Sequence, residues 1–112
     1  MKDLPQKHCV PCEGGVTPLA GPELDQYLIA QPSWRANADR TAISKDFLFT
    51  DFVSGVVFIT DVAHIAEEEG HHPDLNLHNY NRVTVTLSTH AIKGLSENDF
   101  ILAAKIDALS SH

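Results

Sequence analysis

Basic residues are scarce in this chain of 112 residues: Lys and Arg total 8 against 15 Asp and Glu, a formal net charge of -7. An acidic surface repels nucleic acid and anionic membranes, so no nucleic-acid or membrane partner is expected. Long apolar runs are absent too, and none approaches the roughly 18 residues a membrane span requires. The opening stretch Met1 to His8 has no apolar centre and does not read as a secretory signal, which leaves the cytoplasm as the expected compartment. Cys9 and Cys12 are the only cysteines. A single C-x-x-C without a second pair is a weak zinc signal. Pro11, Gly14, Gly15 and Pro18 surround it, which reads as loop and not as the strand and helix of a thioredoxin-type site. The thiols are expected to be reduced and incidental. No internal repeat, low-complexity tract or linker interrupts the chain.

What remains is a composition with 43% apolar and 21% charged residues, that of one globular domain. Residues 1–20 hold three of the six prolines and read as an irregular, extended arm; residues 21–112 read as the domain. Pro22 opens a helix to Gln31, with Leu24, Tyr27 and Leu28 on one face. Trp34 to Ala36 and Thr41 to Phe49 read as a hairpin about an Asn37–Arg40 turn. Thr50-Asp51 offers a cap for a long helix ending near Glu69. Its buried stripe is predicted as Phe52, Val53, Val56, Ile59, Val62, Ala63 and Ala66, widened by Val57, Phe58 and Ile65. Leu75 to His78 reads as a short strand, and Asn79-Tyr80-Asn81 as a turn. Arg82 to Thr89 is the clearest strand, with Val83, Val85 and Leu87 alternating with Thr84, Thr86 and Ser88. Ser96-Glu97-Asn98-Asp99 resembles a capping box that starts a last helix to about Leu109, with Phe100, Ala103, Ala104 and Asp107 forming one strip. The element order predicts an α+β fold: a four-stranded antiparallel sheet with three helices packed on one face.

The run Glu67-Glu68-Glu69-Gly70-His71-His72-Pro73-Asp74 is where chemistry concentrates. Gly70 suits the left-handed position just past a helix end, and Pro73 prevents the helix from resuming. His71 and His72 are therefore expected at the C-terminal mouth of the long helix. Eighteen residues after His72, His90 follows what reads as the end of a strand, on the hydroxyl-bearing face if the alternation holds. Three converging imidazoles suit either proton transfer or metal binding. Adjacent histidines on extended backbone point apart, which weakens a joint metal site for His71 and His72. One of them with His90 and Glu67 or Glu68 would still be possible for a metal. Glu67 stands at i, i+4 from His71, a spacing that equally suits a carboxylate orienting an imidazole.

The linked pattern Glu67-x-x-x-His71-His72-Pro73, six residues, Tyr80, nine residues, His90, eight residues, Asp99 resembles the signature of the pterin-4a-carbinolamine dehydratases. Val83-Thr84-Val85-Thr86-Leu87-Ser88-Thr89-His90 and Gly94-Leu95-Ser96-Glu97-Asn98-Asp99 are similar to the same family. The likeness spans roughly residues 20–109. It implies a metal-free and cofactor-free hydro-lyase that dehydrates 4a-hydroxytetrahydropterin to the quinonoid dihydropterin. It also implies dimers or tetramers that extend the sheet. Family members serve as transcriptional coactivators or enzyme-assembly factors as well, so a non-catalytic binding role is the alternative. By this likeness His71, His90 and His72 are the catalytic histidines, with His71 and His90 the acid/base pair and His72 mainly binding the pterin. Glu67, Asp74, Leu75, Ser88 and Thr89 are expected around the pterin, and Asp99 in a supporting or structural role at a helix start. One position departs: many members carry an aromatic residue, often Trp, where Leu75 stands, and a leucine offers no flat π-face to a pterin.

Overall fold

The strict alternation of Val83, Val85 and Leu87 fixes the register of the whole sheet, because all three are fully buried while their neighbours are not. The computed structural model describes residues 3–10 and 17–109. Helix α1 spans Gly21–Ala30, followed by strands β1 (Arg35–Ala36) and β2 (Ile43–Leu48), then helix α2 (Phe52–Glu69). Strands β3 (Asp74–His78) and β4 (Arg82–Leu87) follow, and helix α3 (Glu97–Leu109) closes the order. The strands form one antiparallel sheet in the order β1-β2-β4-β3. Ile43 faces Leu87 and Phe47 faces Val83 across β2 and β4, while Leu75 and Leu77 face Val85 and Val83 across β3 and β4. This is the expected α+β architecture. No helix of the described residues is long and apolar enough to cross a membrane.

Local signals set the ends of α2. Asp51 accepts the Ser54 amide at 2.8 Å as the cap, and Gly70 takes φ +66° at the other end. The left-handed turn lets the His71 amide reach the Ala66 carbonyl at 3.2 Å, which aims the His-His-Pro segment away from the helix axis. Helix α3 starts with half of a capping box. Asp99 returns a carboxylate oxygen to the Ser96 amide at 3.0 Å, but the Ser96 hydroxyl turns to Thr89. Helix α3 is the centre of the fold, buried at every position from Asn98 to Ala104 and again at Ile106. Asp107 marks the margin of its predicted strip, where it takes the Trp34 indole N–H at 3.0 Å and the Lys45 ammonium at 2.7 Å. That pairing explains a lysine on the inner face of β2.

The structure corrects the buried stripe of α2. Gly55, Phe58, Val62 and Ala66 face the core, with Ile59 and Ile65 partly buried. Phe52, Val53, Val56, Val57 and Ala63 are exposed. Both stripes have helical periodicity, and the helix is apolar over most of its girth. The rotation was decided by packing against Phe47, Phe49 and the α3 face, with the Phe58 ring 4.7 Å from Phe47 and 5.0 Å from Phe49.

The described N-terminal residues 3–10 dock against the domain. Leu4–Gln6 form a 3-10 turn, and Leu4 is 2% exposed within the hydrophobic core. The Lys105 ammonium donates to the Pro5 carbonyl at 2.9 Å, and the Lys7 ammonium meets Glu97 at 3.0 Å. Glu97 also accepts the Tyr27 hydroxyl at 2.8 Å. Burial, and then this bond, push the phenol up to about 12. Residues 4–7 thus pack onto α3. Of the C-x-x-C pair, Cys9 belongs to the docked residues 3–10 and Cys12 lies outside the described residues.

Candidate functional site

Helix α2 ends, β4 ends and α3 begins around one cavity of about 450 Å³. From the end of α2 come Glu69, His71 and His72; from the exit of β4 come Ser88, Thr89 and His90; from α3 comes Asn98. The volume falls within the range of small-molecule sites. The three histidines that the sequence singled out are therefore brought together, and each contributes to the lining.

His71 is the most constrained of them. Its Nε2 lies 2.6 Å from Oδ1 of Asp99, whose side chain is wholly buried. The second oxygen of Asp99 accepts the Thr89 hydroxyl at 2.8 Å and the Ser96 amide at 3.0 Å. Thr89 in turn lies 2.8 Å from the Ser96 hydroxyl, and being a donor to Asp99 it accepts there. A carboxylate only accepts, so Nε2 of His71 donates to Asp99, and in the neutral imidazole Nδ1 is then the acceptor nitrogen. The partner of His71 is thus Asp99, 28 residues away, and not Glu67. Glu67 pairs with His72 instead, and both of those side chains are well exposed. The two neighbouring imidazoles diverge to opposite partners, as extended backbone requires.

His90 is exposed at the start of a 3-10 turn, His90–Ile92. The turn is clamped at its base, where the Thr89 amide reaches the Gly94 carbonyl at 2.8 Å. A Cβ at Gly94 would stand 2.8 Å from Cβ of Pro18, so only glycine permits this approach. Thr89 shares the buried parity of Val83, Val85 and Leu87, and His90 beside it is exposed.

Three expected pterin contacts lie outside the lining. Leu75 packs against the core from the inner face of β3, its parity set by pairing with Val85. Asp74 pairs with Thr86 and is exposed on the opposite face. Glu67 stands at the margin, on His72. Sequence reasoning also missed lining residues: Cys9 and Val10 of the arm, Glu69, and Asn98. A buried asparagine in a first helical turn has no local signature, and nothing in the arm's composition announces where it docks.

Glu69 is the second buried carboxylate here, with its side chain 2% exposed. It accepts the Cys9 amide at 2.7 Å, contacts His8 Nδ1 at 3.0 Å and lies 3.7 Å from the Lys105 ammonium. Burial alone would raise its carboxyl, but the Cys9 amide, the His8 contact and the Lys105 charge together hold it below its ordinary value. No group of three His, Cys, Asp or Glu side chains among the described residues is arranged to hold a metal ion.

Comparison with known proteins bears on this geometry. A family profile described as pterin 4 alpha carbinolamine dehydratase matches residues 17–109. A protein from Halorhodospira halophila, named "Putative pterin-4-alpha-carbinolamine dehydratase", is 44% identical over 96% of this chain and 98% of its own length. One of the same name from Rubrobacter xylanophilus is 41% identical over 97% of this chain and all of its own. Among solved structures, a transcriptional coactivator/pterin dehydratase from Brucella melitensis is similar with a TM-score of 0.78 and 36% identity, covering 85% of this chain and 100% of the other. A pterin dehydratase-like protein, a RuBisCO assembly factor of the alpha-carboxysome, gives a TM-score of 0.61 and 30% identity, over 70% of this chain and 90% of its own.

Proposed function

The chain belongs to the pterin-4-alpha-carbinolamine dehydratase family, and from that premise we propose that it dehydrates 4a-hydroxytetrahydropterin to quinonoid dihydropterin. The reaction loses water across C4a and a ring nitrogen. One group must give a proton to the departing hydroxyl while another takes the ring N–H proton. Imidazoles suit both tasks because they exchange protons near neutral pH. The observation that carries the reading is the His71–Asp99 pair at 2.6 Å beneath a cavity that His72 and His90 also line. A buried carboxylate fixes which nitrogen of His71 is basic, the arrangement a general base requires. His90, exposed and lining the same cavity, is assigned the other proton; His72, braced by Glu67, is assigned to pterin binding. Ser88 and Thr89 stand beside it, with the Thr89 hydroxyl engaged by Asp99.

The proposed setting is pterin recycling in the cytoplasm by a homodimer or homotetramer, with neither metal nor cofactor. The test is direct: purified protein stripped of metal by chelation, given 4a-hydroxytetrahydropterin, should accelerate its dehydration. Loss of activity with EDTA and recovery with zinc would replace this mechanism with a metal-dependent one.

A second reading has its own support. One structural neighbour is named a coactivator as well as a dehydratase, and the other an assembly factor. A binding role needs no aligned proton-transfer groups, so retention of the three histidines favours catalysis. Absence of any dehydration by folded protein would leave the binding role in front.

A further inference from the structure

The N-terminal segment supplies a side of the cavity, yet nothing in the proposed chemistry uses it. Cys9 and Val10 line the same space as the three histidines. Asn98, 4% exposed, holds Val10 by both backbone groups: its Oδ1 accepts the Val10 amide at 3.0 Å and its Nδ2 donates to the Val10 carbonyl at 2.6 Å. One side chain thereby replaces a neighbouring strand. Cys9 is held beside it, with its amide on Glu69 at 2.7 Å and its sulfur 3.6 Å from the Asn98 carbonyl. Behind this clasp Leu4 enters the core, and Lys7 and Lys105 tie the strap to α3 and back to the chain. Glu69 and Asn98 are adjacent in sequence to the machinery, two residues before His71 and one before Asp99.

We infer that Cys9 and Val10 form a fixed wall of the pterin site, and that Asn98 and Glu69 are positioning residues which set pterin affinity by holding that wall. The inference rests on the proposed pterin-binding function of the cavity. Physically, a buried asparagine and a buried carboxylate are costly unless paired, so the strap is required to dock for α2 and α3 to keep these groups satisfied. A docked wall restricts the pterin before binding and lowers the ordering needed on binding. It does not move protons. Its loss should therefore appear in binding more than in turnover.

The experiment uses the full chain with Cys12→Ser, so that Cys9 is the one thiol. Saturating 7,8-dihydrobiopterin should slow alkylation of Cys9 by iodoacetamide. Asn98→Ala should raise the Michaelis constant for the carbinolamine about tenfold while kcat changes by less than about threefold. It should also accelerate Cys9 alkylation without ligand, a change that a passive core role would not produce. Asn98→Asp, which keeps the acceptor for the Val10 amide, should recover part of the affinity. Circular dichroism checks folding, and Val10→Pro, which removes that amide while sparing α3, serves if Asn98→Ala fails to fold. Two outcomes overturn the inference: bound dihydrobiopterin that leaves Cys9 alkylation unchanged, or a folded Asn98→Ala protein with an unaltered Michaelis constant. Failure of the functional reading looks different, as a Cys12→Ser chain that binds dihydrobiopterin and protects Cys9 but does not dehydrate the carbinolamine. One that does not bind dihydrobiopterin overturns both.

Discussion

His71 and Asp99 meet at 2.6 Å across 28 residues of chain, joining the end of α2 to the start of α3. Asp99 serves two purposes at once: it caps α3 through the Ser96 amide and it orients an imidazole that faces the cavity. Replacing it separates those purposes. Asp99→Asn keeps the shape but offers a donor where His71 and Thr89 both need an acceptor. Carboxylates that orient histidines are worth about 10- to 100-fold elsewhere, and kcat is expected to fall by that amount with an altered pH profile. Stability should fall by about 1–3 kcal/mol, since a buried group is left poorly paired. Urea unfolding and the pH dependence of kcat measure the two effects. A fall in stability with an unchanged pH profile would make Asp99 a cap and nothing more.

His71→Ala and His90→Ala should each lower turnover far more than they weaken pterin binding. General acid/base groups contribute about a hundred- to ten-thousandfold, and a fall within that range is expected. The double variant should cost less than the product of the singles, since one half of a proton relay has little to assist alone. Steady-state kinetics with circular dichroism as the folding control decides the matter. Unchanged turnover in the two folded single variants would remove the catalytic assignment.

His72→Ala should behave differently. A contact present in both ground and transition states raises the Michaelis constant and leaves more of the turnover. Glu67→Ala should follow His72→Ala in direction with a smaller effect, because their pairing is exposed. If His72→Ala instead matched His71→Ala in kcat, the division of roles between the neighbouring imidazoles would be wrong.

Docking of the strap should depend on pH through Glu69. Its carboxyl lies below its ordinary value of 4.5 despite burial, held down by the Cys9 amide, His8 and Lys105. A depressed folded value gives stability that is fully present above the unfolded value and lost as pH falls through the folded one. Wild type should therefore exceed Glu69→Gln in urea midpoint near neutrality, and the two should converge as pH falls below about 4.5. Parallel curves across the acid range would show that Glu69 does not hold the strap by charge.

Assembly is expected from exposed apolar residues of α2 and the end of β2. Leu48, Val53 and Val57 are 69%, 67% and 53% exposed and line a second groove together. Apolar groupings of this kind are usually covered, and the sheet edges add unpaired backbone. Sedimentation at micromolar concentration should find a dimer or larger, with Val53→Glu shifting it toward monomer. A monomeric wild type would contradict this.

The sequence by itself determined the parts whose causes are local. Asp51 at the start of α2, Gly70 at its end and Asp99 in the first turn of α3 all act within a few residues, so element limits and the mouth-of-helix placement of His71 and His72 were legible. Alternation in β4 likewise determined that Val83, Val85 and Leu87 face the core. Tertiary structure alone decided which carboxylate meets which imidazole. Glu67 had the right spacing for His71, but the left-handed turn at Gly70 redirected the chain and brought Asp99 there instead. It also decided which stripe of an almost uniformly apolar α2 is buried, because periodicity fixes the repeat of a helical face but not its rotation against a partner. The strap's place on Asn98 and Glu69 was decided the same way: hydrogen bonds spanning 60 and 88 residues leave no periodic trace in the chain.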